Sequence, residues 1–200
     1  MTKLDAVLKE ARGCTLCAAH IPLAPAPVVR GKAGSKILIV SQAPGTKAHI
    51  SGLSFNDRSG DVLRAWMGID RDTFYDESLV AVVSMGFCYP GRDAKGGDLP
   101  PRPECAATWH PRIRPLLKKV EMVLLVGTYA QAYYLQDQRK RTMTETIQAW
   151  RDYNGVSGGP VTIPLPHPSW RNTAWVKKNP WFSEDLLPVL RQRVARLVKP

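Results

Sequence analysis

Acidic side chains are in short supply in this sequence of 200 residues: 17 Asp and Glu face 28 Lys and Arg, a formal net charge of +11. Such a chain suits a polyanion better than a basic partner, because neutralising phosphates releases condensed counterions. A solvated basic face is the competing reading, and charge alone leaves both open. The imbalance is uneven, since residues 139–200 hold eleven Lys and Arg against four Asp and Glu. Long apolar runs are missing as well, which excludes a membrane-spanning helix and a membrane partner of that kind. The stretch Met1 to Arg12 is charged and amphipathic, with no apolar core of the secretory type. The expected location is therefore the cytoplasm. There is no internal repeat and no low-complexity tract. The length suits one α/β domain over residues 1–200, and a monomer is expected.

Cysteine is scarce too: Cys14, Cys17, Cys88 and Cys105. Without an export signal, disulfides are not expected. The first two form a CxxC pair, and sixteen residues separate the other two. Four thiols in this arrangement point to a metal or a cluster. Thiolates suit zinc and iron–sulfur centres alike, and spacing does not choose between them. Buried free thiols are the plain alternative.

What the chain does contain is an alternation of short apolar runs with amphipathic stretches. Lys36–Val40, Leu79–Val83, Met122–Val126 and Val161–Leu165 read as buried strands. Residues 3–12, Ser59–Met67 with Ser59 as N-cap, Thr128–Leu135, Met143–Trp150 and Phe182–Val198 read as helices. Glu104–Val120 reads as helical in part, with Pro111 and Pro115 interrupting or starting helices. A Pro-rich loop holds Pro22, Pro25 and Pro27. This order predicts an α/β three-layer sandwich around a central, mostly parallel four-stranded sheet. Ligands of such sheets bind beyond the carboxyl ends of the strands. The loops after the first and fourth strands, 41–60 and 166–173, are thus the candidate site.

The first of these loops reads Ser41-Gln-Ala-Pro-Gly45 and later Phe55-Asn-Asp-Arg-Ser-Gly60. Pro44 and Gly45 shape a tight turn whose N–H groups can meet a ligand. Phe55 is a ring to stack on a planar group, and Asp57 a base or an electrostatic stabiliser. A βα loop with a helix cap and a solvated Asp is the competing reading. The second loop, Leu165-Pro-His-Pro-Ser-Trp-Arg-Asn-Thr173, holds His167 in a stiff backbone between two prolines. That aims an imidazole into a cleft, unless the histidine belongs to a plain surface turn.

Taken in order along the chain, these pieces resemble the uracil-DNA glycosylase superfamily, and its iron–sulfur fourth and fifth families in particular. Ser41-Gln-Ala-Pro-Gly45 is similar to the first motif, and His167-Pro-Ser-Trp-Arg-Asn172 to the second. The four cysteines fall where those families place the ligands of a 4Fe-4S cluster. The resemblance implies hydrolysis of the N-glycosidic bond of uracil or a related damaged base in DNA, flipped into a pocket. It implies Asp57 as the catalytic carboxylate, with His167 at the O2 side of the base and Gln42 as a further catalytic candidate. Ala43, Gly45, Phe55, Asn56, Ser84, Ser169 and Asn172 would line the base pocket. Trp170 and Arg171 would meet DNA, one of them as the wedge that fills the gap left by the flipped base. The departures are Asn56 where a Gly is usual, Ser41 where a Gly opens the first motif, and Ser84 where an Asn reads the base edge. A hydroxyl has less donor and acceptor capacity than an amide, so base discrimination is expected to relax. The cluster is expected to be structural, stapling the segment Gly86–Pro103. Arg92, Lys95 and Arg102 of that segment are additional candidates for DNA contact.

Two other readings use the same residues. One is a non-catalytic nucleic-acid-binding module with a degenerate pocket, selected by DNA binding without base release. The other is a zinc-stabilised hydrolase or transferase of free nucleotides.

Overall fold

In a computed structural model, which describes residues 1–94, 96–153 and 159–199, four strands alternate with helices along the chain. In order these are α1 (Lys3–Arg12), β1 (Ile37–Val40), α2 (Thr46–Ser51), α3 (Arg58–Met67), α4 (Arg71–Tyr75), β2 (Val80–Val82) and α5 (Pro103–Ile113). They are followed by β3 (Met122–Val126), α6 (Thr128–Leu135), α7 (Met143–Gln148), β4 (Val161–Leu165), α8 (Thr173–Lys178) and α9 (Leu187–Val198). The strands pair in the order β2-β1-β3-β4, and every pairing is parallel. Leu38 lies opposite Ala81 and Val123, and Leu124 opposite Ile163. Pro164, which cannot donate to a ladder, sits in the edge strand β4.

Parallel strands are buried on both faces, which is why β1, β2 and β3 read as unbroken apolar runs. The period of two splits their side chains between two cores. Leu38, Val40, Val123 and Leu125 pack with Leu4 and Leu8 of α1, Trp109 of α5 and Leu135 of α6. Ile37, Ile39, Leu124, Ile163 and Leu165 pack with Leu63 and Met67 of α3, Phe74 of α4, Ile147 of α7 and Leu190 of α9. The α/β sandwich with a four-stranded parallel sheet is therefore as the sequence predicts.

Local chemistry sets the helix ends, and here some expectations need correction. The N-cap of α3 is Asp57, not Ser59: the Asp57 carboxylate accepts from the Gly60 N–H at 3.1 Å, and the helix begins at Arg58. Pro111 neither interrupts nor starts a helix but lies within α5, while Pro115 belongs to the 3₁₀ turn Arg114–Leu116 that follows. Trp150 stands outside α7, in a separate 3₁₀ turn, Trp150–Tyr153. The expected helix over Phe182–Val198 opens as a π turn, Phe182–Leu186, before α9. Pro188 explains the change of register, since it has no N–H to give to an α-type bond there. Capping boxes at Thr2 with Asp5 and at Thr142 with Glu145 fix the starts of α1 and α7.

Candidate active site

The loops leaving the carboxyl ends of β1 and β4 border one cavity. Gly45, Asp57, His167, Ser169, Trp170 and Asn172 all line it. So do Lys47 and two residues of a distant segment, Arg92 and Asp98. The strand order reverses about β1, so the chain leaves β1 on one side for β2 and returns on the other for β3 and β4. This is the crevice at which sheets of this kind take ligands.

Asp57 does two things. Its Oδ1 accepts from the Gly60 N–H and from the Ser59 hydroxyl at 2.5 Å, and its carboxylate borders the cavity. Cap and cavity geometry are thus one feature. The preceding turn is tight: Phe55 has φ of 58°, in the left-handed region that non-glycine residues seldom adopt. Its carbonyl lies so close to Gly60 that a Cβ there would stand 1.8 Å from the oxygen. Arg64, buried, reaches back to the same carbonyl at 3.3 Å and to Asp61 at 2.7 Å. The loop is bound into the molecule on every side.

His167 is half-buried. Burial pushes its imidazole below the ordinary value of 6.5, and the negative charges of Asp57 and Asp98 pull part of the way back. A ring in this state is neutral at pH 7. Its carbonyl accepts from the Asn172 amide at 2.7 Å, and the Asn172 N–H bonds to the Ser169 carbonyl at 3.0 Å. The loop 167–172 is therefore closed by its own residues. Beneath it, Gly127 at the end of β3 has φ of 88°, and its N–H bonds to the Leu165 carbonyl at 2.9 Å. Buried Gln131 clamps the Leu165 carbonyl as well, at 2.9 Å.

Other predicted residues sit differently. Gln42 does not line the cavity; its amide donates to the Leu99 carbonyl at 3.0 Å. The backbone N–H groups of Gln42, Ala43 and Gly45 donate no hydrogen bond among the described residues. Phe55 is buried edge-on against Phe74, with ring centroids 6.0 Å apart. Asn56 accepts from Arg71 at 2.8 Å. Ser84 is buried, and its hydroxyl shares a 2.7 Å hydrogen bond with that of Ser41. Trp170 is 80% exposed, with the Arg171 guanidinium 5.4 Å from its ring centre. Arg102 pairs with Glu104 at 2.5 Å, and Lys95 lies outside the described residues.

Three residues went unread in the sequence. Asp98 pairs with Arg92 at 3.7 Å across a small turn, and that turn is pinned by the Gln42 bond to Leu99. Gly and Pro crowd this segment and no period marks it, so nothing local singles out Asp98. His110, inside α5, is buried. Its Nε2 lies 2.9 Å from the Ser84 carbonyl, which can only accept, so Nε2 carries the proton and Nδ1 accepts from the Tyr134 hydroxyl at 2.8 Å. Burial pushes the His110 pKa down. The cue is an apolar helix face with one histidine in it, which more often marks a satisfied core residue. Lys47 lies on α2, a helix too short to leave a periodic signal.

Away from the cavity, all four cysteines line a second pocket, with Phe87 and Trp109 among its other walls. All four are free thiols. Cys14 follows α1, Cys17 precedes a 3₁₀ turn, Cys88 follows β2, and Cys105 lies in the first turn of α5, where its sulfur accepts from the Phe87 N–H at 3.3 Å. Burial pushes the Cys17 and Cys88 thiols up, and Cys105 to about 12. Neighbouring thiolate charge adds to the rise at these three. Among the described residues, no group of three or more His, Cys, Asp or Glu side chains is set to hold a metal ion as it stands.

A parallel α/β sheet with an Asp and a neutral His lining one cavity at the carboxyl ends of its strands defines a class of enzyme-like fold. The family is settled by comparison: the model of the uracil DNA glycosylase superfamily matches residues 28–191. The chain belongs to that superfamily. Membership supports a DNA glycosylase function in general, and the family acts on DNA. Among the described residues no helix is long and apolar enough to cross a membrane.

Proposed function

We propose that this protein hydrolyses the N-glycosidic bond of uracil, or of a related deaminated base, in DNA. The observation that carries the reading is the convergence of Asp57 and His167 on one cavity, in a chain of this superfamily. A base within a duplex is out of reach, so the nucleotide is extruded into the cavity. The C1′–N bond breaks, leaving positive charge on the sugar and the electron pair on the base, chiefly at its O2. Asp57 stabilises the sugar cation and orients the water whose oxygen then bonds to C1′, taking the proton that water loses, which passes through solvent to the departing base anion. Neutral His167 donates to O2, and the backbone N–H of Gly45, which borders the cavity, adds a donor. Exposed Trp170 fills the gap in the duplex, and Arg171 holds phosphate. Ser84 is buried with its hydroxyl bonded to Ser41 and does not border the cavity, so the base edge is left without the reader an amide there would supply.

The test is base release from an oligonucleotide carrying one uracil, followed by alkaline strand cleavage. Asp57→Asn keeps a good N-cap and removes only charge, so folding persists. Loss of one such electrostatic group costs on the order of 3 kcal/mol, a hundredfold or more in turnover, while DNA binding survives. His167→Ala is expected to fall comparably. Full turnover in both variants would sink the reading, and DNA binding without release by the unaltered protein would favour the binding module.

We further propose that Cys14, Cys17, Cys88 and Cys105 hold a 4Fe-4S cluster. Support comes from four thiols bordering one pocket and from a donor set that iron–sulfur centres favour. Zinc, which takes four thiolates tetrahedrally at about 2.3 Å, is the alternative occupant. Held by these four thiolates, such a group would supply rigidity, with Cys14 and Cys17 tying the segment before β1 to the one after β2 that carries Cys88 and Cys105. A broad visible absorption in the protein purified without air, absent from Cys88→Ser, is expected; a colourless protein with zinc bound would overturn it.

A further inference from the structure

Most of the wall of the cysteine pocket is apolar, built from residues such as Leu16, Ile21, Pro27 and Phe87. Among the described residues, only two polar side chains line it besides the thiols, Arg102 and Trp109, and both can only donate hydrogen bonds. Each carries a donor atom that is buried and has no partner: the Nε of Arg102 and the Nε1 of Trp109. A buried donor without an acceptor is costly, and native proteins seldom leave one. Two of them in the lining of one pocket call for an occupant that accepts.

Contacts outside the pocket hold both side chains in place. The Arg112 guanidinium lies 4.8 Å from the centre of the Trp109 ring, and Arg112 is itself paired with Glu10. Arg102 pairs through one nitrogen with Glu104 at 2.5 Å. Burial pushes the Cys17 thiol up and the Glu104 charge adds to the rise, while the Arg102 charge and its hydrogen bond to the Cys17 sulfur oppose it. The Phe87 N–H serves the Cys105 sulfur in the same way, at 3.3 Å. The pocket thus combines four sulfurs with donors and one positive charge, and Glu104 stands outside it as the counter-charge.

We propose that the Arg102 guanidinium and the Trp109 indole N–H donate to sulfur atoms of the cluster and thereby set its reduction potential. The inference rests on the cluster reading above. Hydrogen bonds and net charge at the sulfurs are levers on that potential. The reduced form carries one more negative charge, so donors and a cation beside it favour that form. The step is the passage of one electron from a small-molecule reductant to the cluster iron, and no bond forms or breaks.

The experiment is a potentiometric titration of the protein purified without air, with dithionite as reductant, read by visible absorption and electron paramagnetic resonance. W109F keeps an aromatic ring and has no N–H, and R102Q removes the charge. Each is expected to make reduction about tenfold harder, a potential lower by about 59 mV for one electron. R102K should restore most of the loss. E104Q removes a charge that does not line the pocket and is expected to shift the potential upward. A merely structural role would lower iron content or the unfolding midpoint and leave the potential unmoved. A full visible spectrum with the potential unchanged in W109F and R102Q overturns the inference and leaves the cluster standing, as does failure of dithionite to reduce the unaltered protein. Where a wall variant loses the cluster, E104Q decides, and a potential that does not rise there counts against the inference. A colourless protein, or one that holds zinc, overturns the cluster reading and this inference with it.

Discussion

The loop after β1 and the loop after β4 border the same cavity, yet they are held in opposite ways. The first is braced outward. Gln42 is tied to Leu99, Ser41 to Ser84 and Asn56 to Arg71, and Phe55 is sunk into the core. The second is braced on itself, through the Asn172 bond to the His167 carbonyl, and it leaves Trp170 bare. On the proposed reading, a wall that keeps a carboxylate in one place against a sugar gains from many anchors. A loop that meets a duplex and aims one imidazole gains from being a self-contained unit on the end of a strand. Preorganisation is cheap in the first and local in the second.

Breaking the first brace is expected to have the larger effect. Gly60→Ala puts a methyl 1.8 Å from the Phe55 carbonyl oxygen, a backbone atom in a turn already at positive φ. The turn must open, and with it go the Arg64 bond and the Asp57 cap. Overpacking of this kind costs about 1–3 kcal/mol, read as a lower unfolding midpoint together with lost turnover. An unchanged midpoint would mean that the turn is softer than its anchors suggest. In the second loop, Asn172→Ala deletes one hydrogen bond worth about 1 kcal/mol. Its effect belongs on kcat through the aim of His167, about tenfold, with little change in KM. A fall confined to KM would instead place Asn172 against the substrate.

The same contrast explains what the sequence disclosed. Strands and long helices were legible because burial imposes periods of two and 3.6 on Leu38, Ile39, Leu63 and Met67. His167 was legible because two prolines isolate it and the chain there makes only local contacts. Ser59 looks like the cap because it and Asp57 are both good capping types two residues apart, and only the turn at Phe55, which starts the helix at Arg58, decides for Asp57. The partners of Gln42, Asn56 and Ser84 were illegible for a different reason. Each lies 15 to 57 residues away in the chain, where no local pattern reaches. Asp98 joins the cavity by the same kind of long-range contact.

Asp98 offers the finest test of how the two loops share one charge balance. His167 is held below 6.5 by burial, and Asp57 and Asp98 oppose that shift by stabilising the imidazolium. A base whose folded value is depressed contributes stability that is whole above its unfolded value and is lost as pH falls from there toward the folded one. Catalysis by the neutral ring follows the same direction: kcat/KM falls on the acid side once His167 protonates, at a pH below 6.5. Removing a carboxylate weakens the imidazolium, so Asp98→Asn should carry that acid limb to still lower pH. The shift is small because Asp98 is half-exposed and already paired with Arg92, and added salt should shrink it further. Asp57→Asn cannot serve for this comparison, since it is expected to remove turnover as well. An acid limb that moves upward in Asp98→Asn, or that stays fixed at low salt, would place Asp98 outside the electrostatic reach of His167 and leave Asp57 as the one carboxylate the imidazole feels.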